Sequence, residues 1–226
     1  MKFYILDNTA KSVSQNEFLD YYGSKYFSDY PQNDIELEKY IECKLQAGDV
    51  DYKCIMWKMG RNPEQYRRDY EDGKSIPNGY GKQIGGLKDF LCYIDDNRYE
   101  LQKLLNKQDI TREKTAQAYE ILLKRVPENF GPVYLITVLY FLSKRRVPIY
   151  DQFAHKAIKA IYFEKQPEEI YVGSSPLKME TNNVISMLDE YMWFLEQVFG
   201  TSNIPRTIDR ALWAYGHKPK RIECNG

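Results

Sequence analysis

The residues best suited to chemistry lie between Pro127 and Lys159, in the run PENFGPVYLITVLYFLSKRRVPIYDQFAHKAIK. Asp151 ends the stretch VPIYD and opens a helical pattern over Asp151–Tyr162. An aspartate at a helix N-terminus is ionised and often caps the first turn. Held beside a reacting centre, the same carboxylate stabilises a developing cation and orients or deprotonates an attacking water. Upstream stand Asn129, Phe130, Gly131, Pro132 and Val133. Gly131 permits a tight backbone and Pro132 suits the first turn of the next helix. The amide groups at that N-terminus are predicted to accept a phosphate. The segment thus offers an acid next to an anion site.

The elements that must position these residues are almost all helical in pattern. Ser14–Tyr22 opens on a capping box with Glu17. Asp34–Ala47 carries Leu37, Tyr40, Ile41 and Leu45 on one stripe, with Glu36, Glu38 and Glu42 expected off it. Asp49–Met59 is a second apolar-rich segment, capped by Asp49 or Asp51. Helices are also predicted over Leu87–Leu105, Thr111–Arg125, Val133–Ser143, Asn182–Phe199 and Thr207–Tyr215. Met1–Leu6 reads as a short strand or an extended arm. Gly73–Gly86 and Glu168–Lys178 read as loops, the first as a mobile surface connection. The Gly73-Lys74-Ser75 triplet is no phosphate loop, since Arg68 stands where the first glycine belongs and no apolar strand precedes it. The expected fold is all-α, a two-lobed helical bundle forming one domain over residues 1–226.

Composition narrows the function classes. Lys+Arg and Asp+Glu balance at 32 each, so the chain does not present itself as a general polyanion binder. The charge is uneven, however. Seven basic residues (Lys124, Arg125, Lys144, Arg145, Arg146, Lys156, Lys159) face only Glu128 and Asp151 between Ile121 and Ala160, which leaves a local basic face. The 20 tyrosines suit a wet, half-buried groove. The four cysteines are scattered without metal-ligand spacing, and His155 has no His or Cys partner nearby in sequence. A reduced, cytoplasmic protein without a metal or a membrane span is expected.

The segment from the hairpin through VPIYD resembles the helix-hairpin-helix DNA glycosylase superfamily, which includes endonuclease III, the mismatch adenine glycosylase and the 8-oxoguanine glycosylases. It is most similar to bacterial 8-oxoguanine glycosylase-like proteins. Pro127-Glu128-Asn129-Phe130-Gly131 takes the place of the family hairpin, and Asp151 matches the family's catalytic acid. Lyase-type members carry a lysine eighteen residues before that acid; here the position is Val133. Glu128 and Asn129 replace hairpin residues that are usually small.

The resemblance implies a DNA N-glycosylase that removes a damaged purine, 8-oxoguanine first, by hydrolysis and without Schiff-base lyase activity. Asp151 would be catalytic. The backbone of Asn129, Phe130, Gly131 and Val133, with Lys156, would hold phosphate. In the last helix, Trp213 would stack on the extruded base and Asp209 would read its edge. Met59–Asn62 would supply the wedge that fills the vacated stack. The implied partner is double-stranded DNA containing a damaged base, bound by a monomer with no cofactor. The alternative is a non-catalytic DNA-binding protein on a degenerate glycosylase fold. A helical protein-interaction module is a third reading.

Overall fold

The computed structural model describes residues 1–6, 10–30, 34–105, 110–171 and 179–217. Cys224 and part of the loop read at Glu168–Lys178 lie outside them. The chain is all-α with small strand additions. An N-terminal hairpin, β1 (Phe3–Leu6) with β2 (Ala10–Val13), pairs Phe3 with Val13 and Leu6 with Ala10. It leads into α1 (Gln15–Asp29), whose capping box forms as expected: Glu17 N donates to Ser14 Oγ at 3.3 Å and Ser14 N to Glu17 Oε2 at 2.8 Å.

Next come α2 (Ile35–Ala47) and α3 (Tyr52–Lys58). Asp51 caps α3, its Oδ1 accepting from Lys53 N at 2.9 Å and Cys54 N at 3.2 Å. Cys54, Ile55, Met56 and Trp57 of α3 are all buried. A short α4 (Arg67–Glu71) follows. The segment expected to be a mobile loop is instead a small ordered hairpin, β3 (Ile76–Pro77) with β4 (Gln83–Ile84). Ile76 and Ile84 are both fully buried, and those two anchors hold it to the core.

Leu87–Leu105, expected as one helix, divides into α5 (Leu87–Asp96) and α6 (Arg98–Leu105). Asn97 stands between them and turns its side-chain amide back onto Tyr93 O at 2.8 Å, a local bond that competes with helix continuation. Then come α7 (Arg112–Leu123), α8 (Pro132–Leu142), α9 (Gln152–Tyr162), α10 (Thr181–Phe199) and α11 (Arg206–Gly216).

The middle of the fold is α8, where every residue from Tyr134 to Leu142 is buried. It packs against α2, α3, α6 and α7, while α9 lies between α10 and α11 and α11 also packs on α1. Such an all-round apolar helix needs neighbours on every side. No described helix is long and apolar enough to cross a membrane.

Two expectations about local chemistry change with packing. Glu38 lies on the buried stripe of α2 with Ile41 and Leu45, and is 5% exposed. Its carboxylate is satisfied from distant elements: Arg206 Nη2 and Trp57 Nε1 each donate to Oε1 at 3.0 Å. Burial opposes its ionisation, but Arg206 and Trp57 outweigh that and keep its proton affinity below the ordinary carboxylate value. The second change concerns the basic run Lys144–Arg146. It forms the turn that ends α8, with Lys144 and Arg145 in the left-handed region at φ 53° and 61°. An 11-residue helix separates it from the hairpin, about 16 Å of axial rise.

Candidate functional site

The hairpin between α7 and α8 is built by Asn129 rather than by Gly131. Asn129 adopts φ 60°, a left-handed conformation that asparagine tolerates better than most side chains. Gly131, read from sequence as the residue permitting the tight backbone, has φ −71° and ψ 165°, and a Cβ there would meet nothing within 4 Å. Asn129 is also tied to the β3–β4 hairpin. Its Nδ2 donates to Gln83 O at 2.9 Å, and its carbonyl accepts from Asn78 Nδ2 at 3.3 Å. Phe130 turns its ring into the core between Phe90 and Tyr134, with centroids 5.2 and 5.1 Å away. That burial leaves its backbone at the rim and fixes the turn.

Asp151 is the N-cap of α9. Its Oδ1 accepts from Phe153 N at 2.8 Å, and its Oδ2 accepts from Lys58 Nζ at 3.1 Å. The side chains of Asp151 and Lys58 are 20% and 11% exposed, so the pair is shielded without being sealed. Its surroundings are aromatic. Burial raises the proton affinity of the Tyr30 and Tyr150 phenols, and the negative charge of Asp151 adds to both.

Gly216 sets the neighbouring wall. A Cβ at this position would fall 1.9 Å from Phe153 O, so α11 meets the first turn of α9 backbone to backbone. This contact brings Trp213 to the Asp151 cap. Tyr30 meets the Trp213 ring edge-on at 4.5 Å, and His217 stacks on it at 4.4 Å with 13° between planes.

Asp151, Trp213 and the 126–134 connection all line one groove of about 1410 Å³. This is larger than an ordinary small-molecule pocket. Lys58, Arg61, Lys82 and Lys159 contribute positive charge to its wall, and Glu128 and Glu190 oppose it.

The predicted site residues are distributed unevenly around this groove. Asn129, Phe130, Gly131, Val133, Asp151 and Trp213 line it together. Lys156 is half-buried on α9 and is not among the lining residues; Lys159, one turn later, is. Asp209 is buried and paired with Arg206, its neighbour on α11. It borders a separate cavity of about 60 Å³ that shares Tyr30, Lys58, Asp151 and Trp213 with the groove. Of the suggested wedge, Met59 is buried and Arg61 is bonded to Asn78 O at 2.7 Å.

Lys58 was missed by the sequence reading, and no local signal marks it. Its partner lies 93 residues away, and only the packing of α3 against α8 and α9's cap joins them. Tyr30, which closes on Trp213 from the end of α1, is equally silent in sequence. Among the described residues no group of three or more His, Cys, Asp or Glu could hold a metal ion. Compared with known proteins, the chain matches no family model, no curated protein and no solved structure.

Proposed function

We propose that the protein is a DNA N-glycosylase of helix-hairpin-helix type that hydrolyses the bond between deoxyribose and a damaged purine, with 8-oxoguanine as first choice. The observation that carries this reading is the shared groove: a carboxylate, the turn at the N-terminus of α8 and an aromatic side chain line one space. Cleavage of the glycosidic bond passes through a sugar with oxocarbenium character, which a fixed carboxylate stabilises. The hairpin backbone and Lys159 would hold the strand, and Trp213, buried and already stacked with His217, would form the wall of the space that takes the extruded base. Val133 presents hydrocarbon where the resemblance places an amine. The groove also suits a polymer better than a compact metabolite, because its volume exceeds what a single small ligand fills.

A non-catalytic DNA-binding protein is the second reading. It draws on the engagement of both Asp151 oxygens, one by Phe153 N and one by Lys58. Release of free base from a duplex containing one 8-oxoguanine decides between the two. Asp151→Asn preserves the capping chemistry of the site. It is expected to lower release on the order of 10³-fold while duplex binding persists. Duplex binding with no base released from any of a panel of lesions would leave the non-catalytic reading. Binding indifferent to salt would remove both, since phosphate contacts release counterions.

A further inference from the structure

A second cavity lies between the end of α1, one side of α2 and α11. It holds about 510 Å³, and among the described residues it shares no lining side chain with the groove. That size suits a small molecule. Arg210 of α11 forms one wall, its guanidinium carbon 4.9 Å from the centre of the Phe27 ring. Its Nε is buried without a hydrogen-bond partner, and among the described residues no hydrogen bond or ion pair reaches the rest of the group. Arg206, one turn earlier, is the contrast: Glu38 binds it at 3.0 Å and Asp209 binds it too. Glu38 also borders the cavity, but its charge is already compensated there by Arg206. Burial and the nearby Arg206 charge weaken the hold of Arg210 on its proton, and Glu38 and Glu42 restore it only in part. A half-buried guanidinium has thus lost hydration, and the face of Phe27 is its main compensation.

We infer that this cavity binds a small monocarboxylic acid with an apolar body, its carboxylate on Arg210 and its body against Phe27 and Ile35. The planar guanidinium matches a carboxylate through two parallel N–H···O bonds, a fit that a lysine does not offer. The charge of the lining matches as well. With Glu38 compensated, Lys39 and Arg210 stand against Glu42, which leaves one positive charge in excess. A single carboxylate neutralises that excess, whereas a doubly charged phosphate overshoots it and is repelled by Glu42. Ile35 is 62% exposed at the rim and supplies apolar surface beside the cation. The site is independent of the glycosylase reading, since it uses neither Asp151 nor the turn before α8.

The test titrates the full chain with sodium hexanoate and sodium benzoate, with hexanamide as a neutral counterpart and inorganic phosphate as a multivalent anion. Proton–nitrogen NMR spectra follow the backbone amides of Phe27 and Ile35 and the Nε–H of Arg210. At least one of the two acids is expected to shift all three signals saturably, in roughly the millimolar range for so few atoms. Hexanamide is expected to leave them in place. Arg210→Gln is expected to weaken binding on the order of 10-fold or more, without a large loss of melting temperature, because it removes a cation that has no anionic partner. The titration of the unsubstituted protein decides the matter even if that variant does not fold. No saturable shift with either acid, equal binding of hexanamide, or tighter binding of phosphate would overturn the inference. So would unchanged affinity in a folded Arg210→Gln protein, or shifts centred on Asp151 and Trp213, which would put the acids in the groove instead. None of these outcomes bears on base release, so the glycosylase reading stands or falls separately.

Discussion

At the scale of single residues, the site is governed by what each charged side chain faces. Asp151 faces a cation and an amide, so its charge is compensated before any ligand arrives. His155, one turn further along α9, shows the opposite situation. Its ring is 2% exposed, lies between Tyr150 and Tyr191, and its Nδ1 is 3.4 Å from the Tyr150 hydroxyl. Burial pushes its pKa down to about 4; Glu190, 3.6 Å from Nε2, raises it, and Lys159 lowers it further. A folded-state value below the ordinary 6.5 means that the unfolded chain takes up the proton first. Stability is therefore complete above about pH 6.5 and falls as the pH drops towards about 4, by on the order of 3 kcal/mol. His155→Gln, neutral throughout, is expected to flatten that part of the curve. Melting temperatures of both proteins between pH 7 and 4 test this, and an unchanged slope would show that the imidazole is not its source.

At the scale of elements, two approaches make the groove. The α9 cap places Asp151, and the contact of α11 with α9 places Trp213. The second depends on Gly216, since any side chain there collides with the Phe153 carbonyl. Neither backbone segment yields easily, because α9 is pinned by its own cap and α11 by α1. Gly216→Ala is expected to cost roughly 1–3 kcal/mol or more. Under the proposed glycosylase reading it should also weaken lesion-duplex binding by moving Trp213 away from Asp151. Chemical denaturation and a binding titration on the same sample would reveal either effect. Wild-type stability and affinity together would show that α11 shifts freely. The hairpin is an element-scale case too. Its turn is legible in Pro127–Pro132, but the sequence pointed to Gly131 as the special residue, whereas the left-handed position belongs to Asn129. The reason is tertiary: Asn129 is clamped from both sides by the β3–β4 hairpin.

At the scale of the whole molecule, Glu38, Arg206 and Asp209 join α2 to α11 through a buried ionic cluster. Tyr26 and Trp57 also bond Glu38, so four elements meet at one carboxylate. Burial disfavours the Arg206 charge, yet the Glu38 carboxylate reverses that and strengthens its hold on the proton. Removing one partner leaves the other charge buried and short of compensation. Glu38→Gln is expected to destabilise by on the order of 3 kcal/mol, a loss of about 10 °C in melting temperature for a chain of this size. The carboxyl's proton affinity is lowered in the fold, so its contribution is present above the ordinary value of 4.5 and is lost as pH falls below it. That loss begins at the acid end of the pH range assigned to His155, and the two variants separate them. A Glu38→Gln protein as stable as its parent would show that the cluster adds specificity rather than stability.

The amino-acid sequence by itself determined the helical class, most helix starts, the α8 core helix and the identity of Asp151 as a capping carboxylate next to a turn. These follow from local rules: apolar periodicity, capping side chains, and proline at a first turn. Tertiary structure alone decided that Lys58 meets Asp151, that Glu38 goes inside, that Asp209 is held by Arg206, and that Lys144–Arg146 ends up away from the groove. Each of these depends on which helices become neighbours. Charge pairing across many tens of residues leaves no periodic trace in the chain, because its cause is the packing of distant apolar faces and the polar contact follows from it.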